Sequence, residues 1–257
     1  MLPFNVKLSQ IASVGVNGLG IEPTAKMISD LALLYEKEEL LPTIAKEQTP
    51  SGIRSRIALV SSDSQYRLLL GVDSFLFTLN AIDYSGSNIN ETGEFTEKAI
   101  PVFTKILQHF DLKANRMGIV TEGVISELAG EQLEGLSEKL FNAPAFFKTL
   151  HPFEWDWRLV SLLDREFGGK TEPTNNIVIL KRRKIQLQRN GETQPDQLDS
   201  ILVNLDININ PDNTMPRFSY EDVEKYFSTA AKWIDTLSNE MNDFLFADKN
   251  KLEQAGE

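Results

Sequence analysis

The chain has 257 residues, 41% hydrophobic and 25% charged, with a formal net charge of −11 and no cysteine. That composition is globular and long enough for one large core or two modest lobes, and its negative field opposes a general affinity for DNA, RNA or anionic lipid. The missing cysteine removes disulfides, thiolate zinc sites, iron–sulfur clusters and cysteine nucleophiles.

The stretch MLPFNVKLSQIASVGV has no basic segment followed by an apolar run, and no segment reaches the roughly 20 apolar residues that span a bilayer. A cytoplasmic location is therefore expected, with no membrane partner. Phe4, Val6, Leu8 and Ile11 to Val16 predict an opening strand. The glycines of Gly15-Val-Asn-Gly-Leu-Gly20 fall in the order G-x-x-G-x-G, and no Gly-Lys-Ser/Thr follows. A turn is expected there rather than a phosphate loop.

A helix is predicted from about Pro23, with Met27, Leu31 and Leu34 on one face. Its solvated end is Glu36 to Glu39, and Pro42 and Pro50 bound an exit loop. Ile53 to Leu79 then reads as three short apolar runs separated by Ser61-Ser62-Asp63-Ser64 and Gly71-Val72-Asp73-Ser74. Such runs are too short for helices and predict a three-stranded antiparallel meander. After a polar loop from Tyr84 to Gly93, Phe95, Ala99, Val102, Phe103, Ile106 and Phe110 mark an amphipathic helix. Pro101 either kinks it or marks its first turn.

Asn115 to Thr121 predicts a fourth strand of the same sheet, Glu131 to Phe141 a short helix, and His151 to Trp157 the start of an aromatic strand. A loop is expected from Gly168 to Asn176. The strand Ile177 to Leu187 places Ile177, Ile179, Ile185 and Leu187 on one face. Its hairpin partner turns Ile201, Val203, Leu205, Ile207 and Ile209 inward and Ser200, Asn204, Asp206 and Asn208 outward.

Ser219 with Asp222 resembles a capping box, and from there Val223, Phe227, Ala230, Ile234, Leu237, Met241 and Phe244 recur at steps of four and three. That pattern suits a long helix across the sheet or a homodimer seam. The expected fold is α+β: mainly antiparallel sheet with amphipathic helices packed on one face and a long C-terminal helix. A single domain over 1–257 is expected, with two lobes, 1–148 and 149–257, as the alternative.

Reaction chemistry leaves little trace. His109 sits at a helix end, where the helix dipole favours a cation. His151 precedes Glu154 and Asp156, but in an extended run His151 and Glu154 point to opposite faces. Asp63, Asp73 and Asp83 are at turns, where aspartate is ordinary turn chemistry. No G-x-S-x-G, H-E-x-x-H or kinase signature occurs. No catalytic residue, cofactor or metal site is expected, and enzymatic activity is not the leading reading. Lys181-Arg182-Arg183-Lys184 is the one basic run, either a charged edge strand or an anion patch.

Ser62-Asp63, Tyr66-Arg-Leu-Leu-Leu-Gly71, Asp73-Ser-Phe-Leu76, Tyr84, Phe95 and Arg116-Met-Gly118 resemble the central block of a sporadically distributed, uncharacterised bacterial protein family. Where that family ends in a helix with an Asp-x-Leu-His-like stretch, this chain has Asp235-Thr-Leu-Ser238, without the histidine. The resemblance implies a bacterial α+β protein from a mobile or defence-associated locus, phage defence included. It carries over no catalytic residue. The resulting expectation is a non-catalytic, protein-binding or self-associating protein, a homodimer among the options, with Phe227, Ile234, Leu237, Met241 and Phe244 as the interface. The alternative is a metal-dependent enzyme or binder acting on nucleotide or nucleic acid through Lys181 to Lys184. Nucleic acid is the less favoured partner because of the net charge.

Overall fold

The computed structural model describes residues 6–187 and 196–254, apart from 19, 50–51, 83–85, 90, 127, 143, 146, 148–149 and 151. The first half of the chain runs β1 (Val6–Gly15), α1 (Ala25–Leu34), β2 (Leu40–Thr49), β3 (Gly52–Ser61), β4 (Tyr66–Leu70), β5 (Ser74–Asn80) and α2 (Thr92–His109). The second runs β6 (Arg116–Ile125), α3 (Gly130–Leu140), β7 (Trp155–Phe167), β8 (Lys170–Leu187), β9 (Asp196–Ile209) and α4 (Tyr220–Gln254). All nine strands form one antiparallel sheet in the order β2-β3-β4-β5-β1-β6-β9-β8-β7.

The two halves repeat one plan. Each opens on a strand that stays at the centre, continues into a helix, lays the remaining strands from the outside inward, and closes on a helix. β1 and β6, the opening strands, pair antiparallel in the middle. No sequence repeat accompanies this topological one.

Alternation decides which face is buried. Ala12 and Val14 of β1, Phe75 and Phe77 of β5, Met117 and Ile119 of β6, and Ile201 to Ile207 at every second position of β9 are buried together. α2 and α4 cover them. Phe103 of α2 stacks on Phe227 of α4 at 5.4 Å between ring centroids, and Phe77 stacks on Phe95 at 5.7 Å. The two deepest tyrosines keep their hydroxyls satisfied, Tyr35 donating to the Val102 carbonyl at 2.8 Å and Tyr226 to that of Ile207 at 3.0 Å.

Helix starts follow capping chemistry. The Thr24 hydroxyl accepts from the Met27 amide at 3.2 Å ahead of α1. Ahead of α4 the Ser219 amide donates to Asp222 at 2.9 Å, and the Asp222 amide donates back to the Ser219 hydroxyl at 3.4 Å. Lys170 also donates to Asp222, at 2.6 Å. Pro101 lies inside α2 rather than at its first turn.

Several sequence expectations need correction. Leu40 to Thr49, expected as an exit loop, is strand β2. It is an edge strand, where Pro42 removes an N–H that no ladder needs. The meander is present as β3-β4-β5, but β1 stands between it and β6. β8 begins at Lys170 instead of after Asn176, and Val178 and Leu180 are its buried apolar residues while Ile177 and Ile179 face away from the helices. The inward row continues through Arg182, a cation that breaks the apolar pattern.

One polar break crosses the core. Gln10 of β1 lies opposite Thr121 of β6, both buried, and neither side chain has a hydrogen-bond partner among the described residues. A buried amide without partners costs about 1–3 kcal/mol. Gln10→Met, of similar shape, is expected to stabilise the fold by about 1 kcal/mol or more, read from denaturant unfolding; an unchanged or lower midpoint would refute the assignment.

Candidate functional site

The sheet face opposite α2 and α4 carries no helix among the described residues. At its middle, β1, β5, β6 and β9 and the segment after β9 enclose a cleft of about 450 Å³ lined by Ser13, Asp73, Ser74, Arg116, Asp206 and Asn208 among others. Gly118 sits between Ser13 and Asn208: a Cβ there would lie 2.9 Å from the Asn208 Cβ and 3.0 Å from the Ser13 hydroxyl. Glycine is what lets the two neighbouring strands bring these polar groups together.

The polar groups are linked to one another. Arg116 Nη2 donates to Asn208 Oδ1 at 2.7 Å, and Asn175 Nδ2 donates to the same oxygen at 3.2 Å. Asn208 Nδ2 in turn donates to Asp206 Oδ1 at 2.7 Å. The bridging amide orients both charged groups, and Asn208 is itself buried, with 4% of its surface exposed. Apart from the bond to Asn208, the Arg116 donor fork has no partner among the described residues. Along the same face, Glu122 accepts from Ser9 at 2.8 Å and from Asn204 at 3.0 Å.

Burial pushes the Asp206 carboxyl above the usual carboxylate range, while the Asn208 amide and the positive Arg116 and Arg158 pull the other way. A raised carboxyl pKa in a cleft beside a fixed guanidinium is the pattern of a functional site.

The residues singled out in the sequence are placed elsewhere. Phe227, Ile234 and Met241 are buried, Leu237 packs against the core, and Phe244 stacks on Trp157 at 6.3 Å. Most of the heptad seam is therefore occupied by the chain's own sheet and α2, while Phe244 at its end stays 42% exposed. Lys181, Arg182, Arg183 and Lys184 do not form one patch. Arg182 points inward and pairs with Asp199 at 2.7 Å, while Arg183 pairs with Asp156. Lys184 lies 5.9 Å from the centroid of the Phe153 ring, and Lys181 borders a shallow hollow on the uncovered face. His109 ends α2 against Phe110. His151 and Asp83 lie outside the described residues, and Asp63 is turn chemistry, accepting from Ser61 at 2.5 Å. Among the described residues no group of three His, Asp or Glu is gathered in metal-binding geometry. No helix among them is long and apolar enough to cross a membrane.

Neither a protein-family profile nor a curated protein matches this sequence. Among solved structures the chain is similar to a rolling circle replication initiator protein from Geobacillus stearothermophilus, at 10% identity and a TM-score of 0.28, over 89% of this chain and 77% of that one. The expectation of a non-catalytic, protein-binding or self-associating protein that works through the α4 seam is corrected by the structure. The seam that motivated it is largely turned into the chain's own core, with Phe227, Ile234 and Met241 buried. A likeness at that TM-score carries no further argument, so the functional reading rests on the cleft.

A carboxyl that holds its proton more tightly folded than unfolded burdens the fold as pH rises through its folded pKa, and the burden is absent below its unfolded pKa. Asp206→Asn is therefore expected to raise the melting temperature at neutral pH by about 1–3 °C. That gain should fade as pH falls toward about 4, the ordinary range of the group. Thermal melts of both proteins across this range check it, and a gain that persists or grows in acid would contradict it.

Proposed function

We propose that the protein binds a nucleobase-bearing ligand in the cleft on the uncovered face of its sheet. The observation that carries this reading is the pairing of Arg116 with Asp206 across the bridging amide of Asn208. It sets a donor fork and an acceptor side by side in a hollow of about 450 Å³, within the roughly 300–1,000 Å³ of small-molecule sites. A nucleobase presents donors and acceptors to such groups, and arginine with the O6 and N7 of guanine is the commonest specific pairing. A carboxylate accepts from the N–H groups on the other edge of guanine, which makes guanine the expected base. Leu76 and Val120 supply apolar wall against which a ring can lie.

The charge of the chain shapes this reading. With −11 overall, the body gains little from neutralising a run of phosphates, so recognition centres on the base. The base is presented by a free nucleotide or by an unpaired position of a single strand. The Lys181 to Lys184 run has no part in it, since Arg182 and Arg183 are held by Asp199 and Asp156.

Calorimetric titration with GMP, AMP, CMP and UMP, and with single strands containing one guanine, tests the reading. Guanine-bearing ligand is expected to bind about tenfold or more tighter than the others, and Arg116→Ala to weaken it by about 1–3 kcal/mol while the circular dichroism spectrum shows the fold retained. A stronger response to the strand than to GMP identifies the single strand as the source, and the reverse identifies the free nucleotide. No saturable binding of any of these, or equal binding by Arg116→Ala, would overturn it.

A further inference from the structure

The two edges of the sheet are built differently. β2, at one edge, carries Pro42 and Lys46, the residues by which sheets discourage a further strand. β7, at the other edge, carries neither. Its middle, Leu159-Val-Ser-Leu-Leu163, is apolar on both faces: Leu159 and Leu163 are 53% and 52% exposed on the helix side, Val160 and Leu162 47% and 58% on the other. β7 pairs with β8 along thirteen residues, from Trp155–Arg182 to Phe167–Lys170. Among the described residues that leaves an equally long outer rim of backbone groups with no strand beside it.

The sequence of β7 is partly self-complementary about Ser161. In an antiparallel pairing of two copies centred on Ser161, Val160 falls opposite Leu162 and Leu159 opposite Leu163. Arg158 falls opposite Asp164, twice by symmetry, and both are exposed with no ion pair among the described residues. Trp157 falls opposite Arg165, and Trp155 opposite Phe167. The one like-charge match, Asp156 with Glu166, is relieved because Asp156 already pairs with Arg183 of its own chain. Shifting the register by two residues weakens this complementarity: one way sets Arg158 against Leu162 and Asp156 against Asp164, and the other keeps Arg158 against a carboxylate, Glu166, but sets Val160 against Asp164 and Leu159 against Arg165.

We propose that two copies of the chain join edge to edge along β7, antiparallel and centred on Ser161, extending the sheet across the pair. Directly opposed residues in such a ladder point to the same face, so the helices of both copies lie on one side and both clefts on the other. The proposal uses neither the α4 seam, which is core, nor the cleft.

Sedimentation equilibrium from about 1 to 100 µM, the range for an interface of modest area, reads the outcome. Wild type is expected to dimerise. Arg158→Asp and Asp164→Arg, each setting like charges face to face twice, are expected to weaken the dimer about tenfold or more. The double exchange Arg158→Asp with Asp164→Arg is expected to restore it. Leu162→Lys, an edge lysine, is expected to give a monomer with an unchanged circular dichroism melt. A monomeric wild type, a dimer indifferent to Leu162→Lys, or single exchanges as tight as wild type would each overturn the proposal, as would failure of the folded double exchange to recover dimerisation.

Discussion

The structure depends on two helices crossing one face of a nine-stranded sheet. Phe103 of α2 and Phe227 of α4 stack over the midline at 5.4 Å. Around them the alternate residues of β1, β5, β6 and β9 are sealed from water. A fully buried side chain of this size is worth about 1.5–3 kcal/mol, and the aromatic run continues through Tyr226 to Phe167 and Trp233. Because a strand shows its side chains to both faces, covering one face leaves a second, equally long surface. That second surface is where the chain has freedom to do something other than fold.

The cleft illustrates how that freedom is used. Arg116 belongs to β6, Asp206 and Asn208 to β9, Ser13 to β1 and Asn175 to β8, and only the strand order brings them together. β9 serves both purposes at once, its odd-numbered isoleucines and leucines holding the core while Asp206 and Asn208 face the cleft. Arg116 and Gly118 divide the work on β6, one supplying the cation and the other the space beneath it.

Much of the frame was legible in the residues. The α4 heptads, the Ser219–Asp222 cap, the meander and the inward row of β9 all follow from local periodicity and turn chemistry, and the structure has them. β2 was unreadable because Pro42, Lys46 and Glu47 dilute its pattern, an edge position being what tolerates them. The face of β8 was misjudged because Arg182 lies inward, where its partner Asp199 compensates the burial. The cleft was invisible for a different reason: its members lie about a hundred residues apart, and cross-strand proximity leaves no local periodicity. Two of its signals were nevertheless in view, the outward Asp206 and Asn208 and the Arg-x-Gly of β6.

The unlike edges of the sheet bear on how large an assembly can grow. A fibre needs two mutually adhesive rims, one to recruit the next subunit and another to be recruited by. Among the described residues proline and lysine guard β2 and neither occurs on β7, so a strand docked on β7 would occupy the less guarded rim and leave the guarded one facing outward. Edge asymmetry of this kind favours a closed pair over an open fibre.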